Sequence, residues 1–138
     1  PGVNLVALAH ARGFEVRPLV GPSSLLLALM ASGANGQSFA FKGYLPSEKD
    51  GRIQALKALE QHSRKHGETQ IFIETPYRND ALLADAVGQL HPATRLCVAC
   101  DLTLPTQTII SKAVADWRKL KEMPNLKKRP AIFVLYAA

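Results

Sequence analysis

The sequence predicts an α/β architecture, a mixed sheet flanked by helices, and two observations carry that expectation. Short apolar runs rich in β-branched and aromatic residues recur along the chain, and between them lie stretches whose apolar residues repeat at helical spacing. A sheet covered by helices produces this alternation, because each layer must bury one apolar face against another. The size suits such a core: 138 residues, 47% hydrophobic and 20% charged, match a soluble globular domain. No apolar run approaches the roughly 20 residues of a membrane helix. The N-terminus also lacks the basic-then-apolar order of a signal peptide, so a cytoplasmic protein without membrane contact is expected.

Val3 to Ala9 opens the chain as an apolar helical stretch with no strand or turn before it, which reads as a cut edge. Gly13 closes that helix, and Phe14 to Val20 reads as a strand whose Pro18 suggests an edge or a bulge. Gly21-Pro22-Ser23-Ser24 forms a tight turn, Leu25 to Ala31 a helix with serines at its capping positions, and Gly33 its end. The glycines and small polar residues from Gly33 to Ser38 mark a domain boundary.

Beyond it Phe39 to Tyr44 reads as a strand. Ser47 with Asp50 makes a capping-box-like start to a helix striped by Ile53, Leu56 and Leu59, which ends before Gly67. Thr69 to Glu74 is a strand; Thr75 can cap, and Pro76 open, a helix with Leu83, Val87 and Leu90 on one face. Arg95 to Asp101 is a further strand and Gln107 to Ile110 a short one. Ala113, Val114, Trp117 and Leu120 stripe a last helix, and Ala131 to Tyr136 closes the chain as a buried strand.

Ligands in such sheets sit where strands end, so the residues that follow each strand are where the chemistry is expected. Ser23 and Ser24 follow a glycine turn at a helix N-terminus, where free N–H donors and hydroxyls suit a polar ligand, or where they simply cap the helix. Glu74 ends an apolar strand with Arg78 four residues on. The pair reads either as an acceptor with a phosphate-binding arginine, or as an i,i+4 ion pair. Asp101-Leu102-Thr103 is polar after an apolar strand, and Pro105 and Thr106 extend its loop.

His10, His62, His66 and His91 are scattered without triad or metal spacing, so no metal is expected. Cys97 and Cys100 lie three apart on one strand, on opposite faces, and read as small buried hydrophobes of a reducing compartment rather than zinc ligands. The formal net charge is +6, and Arg118, Lys119, Lys121, Lys127, Lys128 and Arg129 crowd around the last helix and the loop after it. That cluster is either a solvated face or a nucleic-acid contact.

Taken in order, Pro1-Gly2, Phe14 to Ser24, Ser32-Gly33, Phe39 to Pro46 and Ile73 to Arg78 resemble the S-adenosylmethionine (SAM)-dependent tetrapyrrole (corrin/porphyrin) methylases. Within that family the chain is most similar to the branch that methylates a ribose 2′-hydroxyl of ribosomal RNA. The resemblance covers essentially the whole chain. It implies a two-domain fold with SAM between the domains, residues 1–36 ending a truncated first domain and residues 37–138 forming the second. It further implies a homodimer, and a fragment inactive by itself.

By motif position, Ser23, Ser24, Glu74, Leu102 and Thr103 would contact the cofactor. Arg78, Lys127, Lys128 and Arg129 would hold the substrate, a ribosomal small-subunit RNA. No catalytic residue is identifiable beyond Glu74, the candidate base. Two departures from the RNA-modifying pattern leave the substrate open: Asp101 stands where the family has glutamate, and Leu104-Pro105-Thr106-Gln107 where it has lysine and acidic residues. A tetrapyrrole C-methyltransferase, and a non-catalytic dimerising or RNA-binding module, are the alternatives.

Overall fold

The computed structural model describes residues 2–138, so Pro1 of the Pro1-Gly2 pair lies outside the described residues. Its strands β1 (Phe39–Tyr44), β2 (Thr69–Ile73), β3 (Arg95–Cys100), β4 (Thr108–Ala113) and β5 (Ala131–Tyr136) form one sheet in the order β1-β2-β5-β3-β4. The helices are α1 (Gly2–Ala11), α2 (Ser24–Ser32), α3 (Lys49–His66), α4 (Asn79–Gln89) and α5 (Val114–Trp117). The expected mixed sheet flanked by helices is what the chain forms. β1 and β2 are parallel, joined through α3, and every other pairing is antiparallel.

β5, last in sequence, therefore enters between β2 and β3. Hydrogen-bonded on both edges and covered on both faces, Ala131 to Leu135 are all buried, which is why this stretch is apolar without alternation. On one face Leu56 of α3, Leu82 and Leu83 of α4 and Trp117 of α5 pack on Phe72, Leu96 and Phe133. The Phe72 and Phe133 rings, opposite each other across β2 and β5, stack with centroids 5.6 Å apart. On the other face Ala28 and Leu29 of α2 cover Ile71, Cys97, Ala99 and Val134. Cys97 and Cys100 thus fall in different clusters, both as free thiols, and burial pushes the Cys97 thiol up to about 11.

Most polar groups taken into this core are paired, although Gln70 Oε1 and Asn79 Oδ1 are buried without a partner among the described residues. The buried Glu60 carboxylate accepts from His91 N (2.8 Å) and Thr94 Oγ1 (2.6 Å). Arg52 and Asp85 pair across α3 and α4 at 2.6 Å, and Trp117 Nε1 donates to Leu96 O at 2.8 Å. The segment Gly33 to Ser38, expected as a boundary, is fastened rather than loose: Asn35 donates to Gly67 O and accepts from Thr69 Oγ1.

Four local expectations need correction. Phe14 to Val20 is irregular, because Pro18 lacks an N–H and no described strand lies beside it; Leu19 and Val20 are fully open to solvent. α3 begins after Glu48, and Ser47 gives its carbonyl to Arg52 instead of capping. Thr75 to Arg78 form a turn, and α4 starts only at Asn79. α5 is a single turn, because Ala113 still pairs with Arg95 in the sheet. No helix among the described residues is long and apolar enough to cross a membrane.

Truncating Phe72 removes half of the stacked pair from a site that is completely buried. Phe72→Ala is expected to lower the unfolding free energy by about 3–5 kcal/mol, read from the midpoint of a urea titration. A loss under about 1 kcal/mol would show that the ring does not anchor the core.

Candidate functional site

Because β1, β2 and β3 run in one direction and β5 runs against them, three strand C-termini and the start of β5 meet at one end of the sheet. A cavity of about 330 Å³ opens there, bounded by Ser24, Tyr44, Glu74, Asp101, Leu102 and Ile132 among others. The volume is at the lower end of small-molecule sites. Three loops separately singled out in the sequence converge on it, those of Ser24, Glu74 and Leu102.

Glu74 is the most unusual group in its wall. Its side chain is 1% exposed, and Oε1 accepts from Thr75 N at 2.6 Å and pairs with Arg78 Nε at 3.2 Å. Both contacts wind residues 75–78 into the turn that precedes α4. Oε2 is buried and has no partner among the described residues, nor has Thr75 Oγ1 beside it. Leaving such an acceptor unmatched costs about 1–3 kcal/mol or more, so the geometry suits a ligand that brings a donor.

Opposite Glu74, the loop after β3 is held in an uncommon backbone conformation. Asp101 (φ 52°) and Thr103 (φ 70°) both occupy the left-handed region, which a β-branched residue such as threonine rarely enters. The strain is maintained by internal bonds. Asp101 Oδ2 accepts from Arg129 Nε and Thr106 Oγ1, both at 2.8 Å, and Thr103 N donates to Gln107 Oε1 at 2.8 Å. Leu102 faces the cavity, whereas Thr103 borders a neighbouring depression beside Leu27 and Met30 of α2.

α2 supplies the third wall. Ser23 is its N-cap, extended at φ −121° and ψ 123°, but its hydroxyl caps nothing. The first-turn N–H groups and both serine hydroxyls therefore remain available, with Ser24 bordering the cavity.

The basic residues divide. Arg118 donates to Val87 O and Leu90 O, closing the C-terminal end of α4. Besides Asp101, the Arg129 guanidinium donates to Asn125 O, Thr106 O and Thr108 Oγ1, so it is occupied inside the fold. Lys127 and Lys128 are exposed and enter no ion pair, while Arg78 is half exposed beside Glu74. No group of three His, Cys, Asp or Glu that could hold a metal occurs among the described residues.

Tyr44 and the Pro130–Ile132 stretch also border the cavity, and the sequence reading does not reach them. The strand-end rule would have reached Tyr44. The start of β5 carries no such signal, since its antiparallel entry is invisible in sequence.

No family model matches the chain. Over 138 residues it is 33% identical to the ribosomal RNA small subunit methyltransferase I of Escherichia coli O157:H7, aligning 98% of this chain with 46% of that protein. With the protein of the same name from Pseudomonas aeruginosa the identity is 36% over 137 residues, 99% of this chain and 47% of that one. The chain thus spans about half the length of the curated relatives it matches. Among solved structures, the cobalamin biosynthetic enzyme cobalt precorrin-4 methyltransferase CbiF matches with a TM-score of 0.51 at 13% identity, over 97% of this chain and 57% of that one. That likeness is one of fold.

The Asp101–Arg129 pair gives the loop a pH signature. The Arg129 hydrogen bond, then that of Thr106, holds the Asp101 carboxyl below the usual aspartate range. A group whose pKa is depressed by folding stabilises the fold above its unfolded value, near 3.9, and loses that contribution as pH falls through the folded value. Urea midpoints compared at pH 7 and pH 3 should therefore drop further for the wild-type chain than for Asp101→Asn. Equal drops would show that the pair contributes nothing.

Proposed function

We propose, from the homology to ribosomal RNA small subunit methyltransferase I, that the whole protein is a SAM-dependent methyltransferase acting on a ribose 2′-hydroxyl of small-subunit ribosomal RNA. Residues 37–138 form its second domain and residues 1–36 the end of its first. One observation carries the reading: Ser24, Glu74 and Leu102, from three separate loops, border one cavity, and Glu74 keeps a buried oxygen without a partner among the described residues.

The residues present fit SAM. Glu74 Oε2 is an acceptor matched to the amine or ribose hydroxyl donors of the cofactor, and the uncapped start of α2 with Ser23 and Ser24 offers donors to its carboxylate. Leu102 supplies apolar surface, and Thr103 is carried next to it on the same strained loop. When bound, SAM supplies an electrophilic methyl group on a sulfonium centre.

In this reading the protein acts mainly by position, holding the acceptor oxygen in line with that methyl and excluding water. Glu74, with Oε1 held by Arg78 and Thr75, is also the candidate to receive the proton that the 2′-hydroxyl loses. Lys127 and Lys128, exposed and outside any ion pair, and Arg78, half exposed and paired with Glu74, are the cations offered to RNA phosphates.

The apolar residues left in solvent fit an incomplete surface. Val3, Leu5, Phe14, Leu19, Val20 and Met30 are exposed on α1, α2 and the segment between them. Such surface marks an interaction face, here for the rest of the first domain and, in a homodimer, for a second copy. Under this reading the enzyme works in the cytoplasm, where its RNA is.

Two experiments on the full-length protein test the proposal. Glu74→Gln keeps the shape and removes the charge; titration calorimetry should show SAM binding weakened about tenfold to a hundredfold, the loss of one charge-assisted hydrogen bond. Unchanged affinity would remove Glu74 from the cofactor site. Lys127→Ala with Lys128→Ala should reduce the slope of log affinity for small-subunit RNA against log salt by about 1.4, at about 0.7 per single-strand phosphate contact. An unaltered slope would place the RNA elsewhere.

A further inference from the structure

The two walls of the cavity belong to different strands that do not touch, since β5 lies between β2 and β3. Something must fix the loop after β3 relative to the turn after β2, and the residues just before β5 do so. Asn79 at the start of α4 donates from Nδ2 to Arg129 O at 2.8 Å, and Asp80 Oδ1 accepts from Leu126 N at 3.2 Å. The 125–130 segment is thus tied to the helix whose leading turn holds Glu74. On its other side the Arg129 guanidinium reaches the β3 loop through Asp101, Thr106 and Thr108, and Asp101 N donates to Pro130 O at 3.1 Å.

We propose that Arg129 is a positioning residue, whose side chain sets the separation of the Leu102 wall from the Glu74 wall and so governs cofactor affinity, without itself contacting RNA. The inference rests on the SAM reading above, and it departs from the role that motif position suggested for Arg129. Its physical basis is that a guanidinium offers a planar fork of donors, and that four of those donor directions already end on loop atoms. Asp101 is held in its left-handed conformation by Arg129 together with Thr106, while Thr103 is held by Gln107. Lys128, itself at φ 58°, turns the chain so that Arg129 points inward while the two lysines before it stay in solvent.

Arg129→Lys keeps the charge and loses the fork, and Asp101→Asn weakens the same clasp from the other end with a smaller change in shape. Both would be made in the full-length protein, with SAM affinity read by titration calorimetry and RNA affinity by filter binding across salt concentrations. Steady-state methylation of small-subunit RNA would be followed alongside.

The expected result is a roughly tenfold loss of SAM affinity in each variant, a matching rise in KM for SAM, and an RNA affinity and salt slope equal to wild type. If Arg129→Lys does not fold, Asp101→Asn carries the same test. Loss of RNA affinity with SAM binding intact would make Arg129 a phosphate contact and overturn the proposal, as would variants that bind both ligands like wild type. Failure of the wild-type protein itself to bind SAM would sink the cofactor reading, and the positioning role with it, which is a distinct outcome from unaffected variants.

Discussion

Insertion of β5 between β2 and β3 is the constraint on which the rest of the structure depends. It completes the hydrogen bonding of both neighbours and supplies Phe133 and Leu135 to one face and Ile132 and Val134 to the other. It also separates the two strands whose ends carry Glu74 and Asp101 by two strand spacings, about 10 Å. Because β5 begins where they end, no loop of its own rises between them. A gap follows, floored by Ala131 and Ile132 and walled by the turn after β2 and the loop after β3. The same antiparallel entry brings Arg129, one step before the strand, to the place where both walls can be fastened.

Charge inside the fold is handled in two ways, and the contrast sets Glu74 apart. Glu60, Arg52 and Asp85 are buried with partners on nearby elements, which makes them part of the packing of α3 against its surroundings. Glu74 is as deeply buried yet keeps one oxygen without a partner. A protein built only for stability would gain by matching or removing it. The same edge of the sheet holds two left-handed non-glycine residues, Asp101 and Thr103. Unmatched acceptor and strained loop both border one cavity.

Much of this was legible in the sequence, and the parts that were not have physical reasons. The central strands β3 and β5 follow from apolar runs, because strands covered on both faces have few polar positions to confuse the pattern, whereas the edge strand β4 carries Ser111 and Lys112 and runs to Ala113, beyond the Ile110 at which its apolar run ends. Phe14 to Val20 has the composition of a strand but no partner, and composition cannot supply one. The turn before α4 was missed because Glu74 and Arg78 organise it through side chains, which no propensity at Thr75 or Pro76 reveals. Ser24, Glu74 and Leu102 could be found because each follows a recognisable motif. The work of Arg129 could not, since it depends on Asn79, Asp101, Thr106 and Thr108 meeting in space from distant parts of the chain. Even the departures at Asp101, Thr106 and Gln107 make sense only there, where they hydrogen-bond within one loop.

The central claim is that the cavity between the β2 turn and the β3 loop is a cofactor site completed by a ligand's donor to Glu74. A crystal structure of the full-length protein with S-adenosylhomocysteine tests it most directly. The ligand is expected in this cavity, with an amine or hydroxyl within hydrogen-bonding distance of Glu74 Oε2 and Leu102 against its apolar surface. A ligand bound elsewhere, with Oε2 still unpartnered, would contradict it.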